Sequence, residues 1–161
     1  MRTLHNIDLK NNESGFTLRW QDRLILSHSA DAPCLWIGAG EADIEMFRGN
    51  FSIKDKLNEK IALTNATVTQ QSAGWAIRFT RGDAVSATLL VGVDGEGRLE
   101  VKLKNYAASH NRIWLRLAAQ PDDHIYGCGE QFSYFDLRGK PFPLWTSEQG
   151  VGRNKDRKSV V

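Results

Sequence analysis

The sequence predicts an all-β fold, an antiparallel β-sandwich, on three observations. Apolar residues recur with period two rather than with the 3.6 spacing of a helix. The alternating runs are short and separated by turn-forming residues, a pattern typical of two packed antiparallel sheets. No internal repeat or low-complexity linker interrupts the 161 residues, a length suited to one domain with a sizeable core.

The elements follow in order. FTLRW places Phe16, Leu18 and Trp20 on one face of a half-buried strand. SIKDKLNEKIAL could be helical, since Leu57 and Ile61 stand four apart, but KIALTNATVT reads equally well as strand. WAIRF repeats the alternation through Trp75, Ile77 and Phe79. RLEVKLKNY does so through Leu99, Val101 and Leu103, with Glu100, Lys102 and Lys104 outward. RIWLRLA turns Ile113, Leu115 and Leu117 inward. Between the runs, SAG before Trp75 and the Arg81-Gly82-Asp83 triplet mark turns. Asp94-Gly95 is expected to supply the positive φ angles of a tight hairpin.

Composition excludes several functions. A net charge of +2, with basic residues scattered singly, lacks the patch that nucleic-acid binding needs. No apolar run reaches membrane-spanning length, and the opening MRTLHNIDLK has no signal-peptide core. The expected location is therefore cytoplasmic, with Cys34 and Cys128 as reduced thiols. His5, His28, His110 and His124 show no metal-ligand spacing and suit surface or capping roles, so neither metal nor cofactor is expected.

The segment from Asp123 to Arg153 crowds glycines, aromatics and charged groups together. GCGEQ lacks the lysine and spacing of a phosphate loop, and its glycines instead permit a sharp turn. Pro141 and Pro143 exclude a central strand. Beyond them, Trp145 offers an apolar ring, while Glu148, Gln149 and Arg153 offer directional hydrogen bonds. Such a mixture suits a sugar, whose C–H faces pack on rings while its hydroxyls need polar partners. Composition alone favours the plainer reading, a loop whose aromatics pin it to its own sheet or to another domain.

These residues also carry a resemblance. IYGCGEQF (Ile125 to Phe132) resembles the YGLGE motif of glycoside hydrolase family 31, with Cys128 in the leucine position. RGKPFPLWTSEQGVGR is similar to that family's loop leading toward the active site, and PCLWIG, EMFRGNFSIKDK and HNRIWLRLAAQP point to its bacterial sulfoquinovosidase branch. The resemblance implies a galactose mutarotase-like N-terminal sandwich over residues 1–155, with an active-site-directed loop near 138–153. It also implies a retaining α-glycosidase acting on a carbohydrate substrate, with α-sulfoquinovosides as the expected substrate and α-glucosides or α-xylosides as the alternative. A retaining mechanism needs two carboxyl groups about 5 Å apart. The family places them in a following (β/α)₈ barrel of about 250 residues. That barrel is the missing partner, so Asp122, Asp123 and Asp136 are not expected to be catalytic and the chain alone is expected to be inactive. Trp145, Glu148, Gln149 and Arg153 are then the substrate-facing candidates, although WTSE departs from the family's WNxD-like pattern. The likeness stops after Lys155, and residues 156–161 (DRKSVV) are expected to be a foreign tail left by truncation. Two other readings stay open: a freestanding carbohydrate-binding sandwich, and an aldose-epimerase-like enzyme requiring a His/Glu pair that the sequence does not suggest.

Overall fold

Alternation and turn chemistry together produce ten strands among the described residues of the computed structural model, which are 7–12, 15–47, 50–127 and 134–140. A three-stranded antiparallel sheet comprises β1 (Ile7–Asn12), β2 (Gly15–Trp20) and β3 (Arg23–Ser29). A second has the order β10 (Arg112–Leu115), β4 (Leu35–Phe47), β5 (Asn50–Ala62). The third is a meander of β6 (Asn65–Gln71), β7 (Gly74–Arg81), β8 (Val85–Val93) and β9 (Leu99–Lys104). The all-β antiparallel expectation holds.

Particular elements depart from their expectations. The segment 52–63 is not helical: β5 continues as strand to Ala62, hydrogen-bonded to β4. Leu57 and Ile61 share a side in either geometry, because a spacing of four is even as well as near 3.6. The β8–β9 connection is not a tight hairpin centred on Asp94-Gly95; the positive φ falls on Gly97, at 82°. Asp94 instead organises this longer loop by accepting the Glu96 and Arg98 amides at 2.8 and 3.0 Å and the Arg98 Nε at 2.9 Å. The tight turn lies elsewhere, at Gln21 and Asp22, both with positive φ (49° and 63°), as a twisted two-residue hairpin demands.

The chain divides into two compact units, one drawn from residues 1–41 and 55–119 and the other from 42–54 and 120–161. In the first, Phe16, Leu18 and Leu26 meet Leu35, Ile37, Ile77, Phe79, Leu89 and Val91 in one core, all nearly or fully buried. The alternating strands thus bury the faces expected at Phe16, Leu18, Ile77 and Phe79. The expectation fails at the sheet edges. Ile113 and Leu115 stand opposite Ile37 and Leu35 in register, yet are 46% and 36% exposed because β10 is an edge strand. Leu117 lies beyond the end of β10 and is also exposed, as is Val101 on β9, an edge strand of the four-stranded sheet.

His28 also departs from expectation, since it is a core residue rather than a surface or capping one. Its ring stacks on Phe16 at 5.5 Å and meets the Phe79 edge at 5.1 Å. Nε2 lies 3.2 Å from the Thr64 carbonyl, which can only accept, so Nε2 carries the proton. Nδ1 then accepts the Cys34 amide at 3.3 Å. The ring is neutral and fully used. Burial also pushes the Cys34 thiol up to about 11, leaving it an inert apolar filler.

Burial is the main force that depresses the His28 pKa, outweighing the Thr64 hydrogen bond that raises it. Because the unfolded chain takes up this proton more readily, the stability contribution is complete above about pH 6.5 and is lost as pH falls toward the folded value. We therefore expect urea midpoints to decline below about pH 6.5 in the wild-type chain, with a flatter slope in His28→Phe. That variant should also lose about 1–3 kcal/mol at neutral pH, because the Cys34 amide and Thr64 carbonyl lose their partner.

Candidate functional site

In the second unit, two short segments form a side-chain clasp without regular secondary structure. The first begins with a turn: Asp123 accepts the Gln120 amide at 2.7 Å, and its own amide returns to the Gln120 carbonyl at 3.1 Å. Proline at 121 favours this turn, so the carboxylate of Asp123 serves the backbone. The second segment, 134–140, crosses to it at one backbone bond, from the Leu137 amide to the Ile125 carbonyl at 2.9 Å. Leu137 is buried beneath.

Asp136 is the hub. One carboxylate oxygen accepts the amides of Ile125 and Arg138 at 3.1 and 3.0 Å, while the other lies 2.7 Å from His124 Nδ1. The His124 hydrogen bond and these two amides, in that order, hold the Asp136 pKa down to about 2. Arg138 reinforces the clasp by donating to the carbonyls of Gln120 and Asp123, the latter at 2.7 Å. His124 donates through Nδ1, and its Nε2 takes no protein partner among the described residues.

The clasp carries an aromatic ledge. His124 stacks near Tyr126, and Tyr126 meets Phe135 at 5.1 Å, with Tyr126 56% and Phe135 88% exposed. Lys140 lies 4.8 Å over the Tyr134 ring. Rings of this kind, open to solvent beside an imidazole nitrogen without a partner among the described residues, can stack on a saccharide face and hydrogen-bond a hydroxyl. Asp136 is unsuited to general-acid work at neutral pH, because its carboxyl is held ionised and its oxygens are already engaged.

Trp145, Glu148, Gln149 and Arg153 lie outside the described residues, as do Gly129 and Glu130. Gly127 has φ +109°, in keeping with the sharp turn expected at GCGEQ. The grouping of His124, Tyr126, Phe135 and Asp136 was not foreseen from sequence. Its only trace there is a His and an Asp twelve positions apart, each next to aromatic-rich sequence.

A His/Glu pair, the signature wanted for epimerase chemistry, does occur in the first unit. His110 Nε2 is 3.6 Å from Glu59 Oε1, beside a cavity of about 150 Å³ lined by Leu103, Tyr106 and Ile113. The separation exceeds a hydrogen bond. The cavity is also about half the smallest usual ligand pocket, so the pair does not form a sugar site.

Residues 8–158 match the family model described as the glycosyl hydrolase 31 N-terminal galactose mutarotase-like domain. The chain belongs to this family. It is 73% identical over 146 residues to a sulfoquinovosidase of Escherichia coli (strain K12), and 43% identical over 143 residues to a sulfoquinovosidase of Agrobacterium fabrum (strain C58). These alignments cover 91% and 89% of this chain, but 21% and 20% of the relatives. A glycoside hydrolase family 31 sulfoquinovosidase from E. rectale, solved with an aza-sugar inhibitor, superposes with a TM-score of 0.70 at 37% identity. That superposition covers 91% of this chain and 21% of the other. The chain therefore spans about a fifth of the length of the relatives it matches.

The clasp should respond to pH in a fixed direction. With its folded pKa depressed to about 2, Asp136 contributes fully above the ordinary carboxylate value of about 3.9 and loses that contribution as pH falls through about 2. Asp136→Asn should raise the hydrogen-exchange rates of the Ile125 and Arg138 amides at least tenfold at neutral pH. The Leu26 and Ile77 amides, in the core of the first unit, should keep their protection.

Proposed function

We propose that this chain is the N-terminal part of a retaining α-glycosidase that hydrolyses α-sulfoquinovosides. The observation that carries the reading is the 73% identity to the E. coli sulfoquinovosidase across 91% of the chain. In the proposed enzyme a following (β/α)₈ barrel supplies the nucleophile and the acid/base carboxyl groups, about 5 Å apart. The chain's own carboxylates at the clasp are spent otherwise: Asp123 and Asp136 accept backbone amides.

The chain's contribution is positional. The clasp ends at Lys140, and the segment bearing Trp145, Glu148, Gln149 and Arg153 continues directly from it. A rigid take-off point limits where that segment can reach, which suits side chains that line the leaving-group side of a pocket. The exposed Tyr126–Phe135 ledge favours a second reading, a carbohydrate-binding sandwich without catalysis.

Joining residues 1–155 to the complementary four-fifths of the E. coli relative tests the reading. The chimera should cleave an aryl α-sulfoquinovoside in preference to the matching aryl α-glucoside, whereas the 161-residue chain alone should cleave neither. Glu148→Gln or Trp145→Ala in the chimera should lower kcat/KM roughly tenfold to a hundredfold. Turnover by the isolated chain would overturn the division of labour, and a chimera preferring the glucoside would overturn the substrate.

A further inference from the structure

The outward face of the β10-β4-β5 sheet carries a grouping that neither the core nor the clasp uses. Register places Trp36 of β4 directly opposite Trp114 of β10, on the side away from Leu35 and Ile37. A Cβ at Gly38 would come within 3.0 Å of Trp114 Cζ3, so the missing side chain lets this indole lie against the strand. The two rings form a half-exposed apolar floor.

Two cations sit on that floor. Lys60 Nζ is 4.5 Å from the Trp114 ring centre and 5.5 Å from that of Trp36, while Arg116 Cζ is 5.7 Å from Trp36. Neither cation pairs with a carboxylate among the described residues. Arg112, by contrast, is neutralised by Asp55 at 2.7 Å. One Arg116 nitrogen donates to the Ala32 carbonyl, and the Lys60 ammonium has no protein acceptor among the described residues. Two like charges held near one indole repel each other, and ring quadrupoles offset this only in part.

We propose that this sheet face is a binding site for a small organic anion, a sulfonate or carboxylate carried on an apolar ring. Lys60 and Arg116 take the charged group, while Trp36 and Trp114 receive the ring. The charge pattern selects the ligand: an anion neutralises both cations, and its apolar body covers indole surface that water now wets. The site stands independently of the glycosidase reading.

The test is a titration of the 161-residue chain with cyclohexanesulfonate, read on the indole N–H resonances. Two of the five tryptophan signals, assigned by Trp36→Phe and Trp114→Phe, should shift saturably, with a dissociation constant of order ~1 mM. Cyclohexanecarboxylate should do the same, whereas inorganic sulfate and cyclohexanol should bind at least fivefold more weakly. Lys60→Gln and Arg116→Gln should each weaken binding at least fivefold. Arg116→Lys, which keeps the charge but loses the guanidinium's forked donors, should weaken it two- to threefold. Both cations are exposed, and unchanged dispersion in the rest of the spectrum shows that a variant is folded. Equal binding of cyclohexanol or of sulfate would overturn the proposal. So would a shift shared by all five indoles, or undiminished binding in the Lys60→Gln/Arg116→Gln double variant.

Discussion

A single buried imidazole joins the strands on which the first unit depends. His28 belongs to β3, yet its two ring nitrogens engage Cys34, just before β4, and Thr64, just after β5. The thirteen-residue strands β4 and β5 are therefore tied at their shared base to a different sheet. The Leu63 amide reaches the Leu35 carbonyl at 3.1 Å in the same place, closing that base with a backbone bond. Buried polar groups stabilise a fold only when every partner is present. Here one neutral ring satisfies an orphan donor and an orphan acceptor while packing between Phe16 and Phe79.

With its base held, the β10-β4-β5 sheet can present two chemically different faces. Leu35 and Ile37 close the core on one, and Trp36 and Trp114 line the other. The period-two geometry of strands produces this division automatically. Edge position then modifies it, because an outer strand has a neighbour on only one side. Ile113 and Leu115 face the core direction but stay open for that reason.

The clasp follows a different logic. Among the described residues it has no ladder of backbone bonds, so a side chain must organise it, and Asp136 does this by accepting two amides and a histidine. A carboxylate so used is a poor proton donor but a good fastener. The exposed rings of Tyr126 and Phe135 are left on a frame held by charge-assisted bonds.

The sequence by itself determined the all-β class, the buried faces of β2 and β7, the turn character at Arg81-Gly82-Asp83, and family membership. Each of these follows from side-chain alternation, turn residues or contiguous motif, which are local properties. Only the tertiary structure decided that 52–62 is strand, because a spacing of four fits both periods and the β4 partner breaks the tie. It alone showed which strands lie at edges, and hence that Ile113, Leu115 and Val101 remain exposed. His28 in the core, the His124–Asp136 pair and the Trp36–Trp114 face were likewise invisible in one dimension. Each joins residues from separate segments, and their chemistry arises from distance in space rather than spacing along the chain.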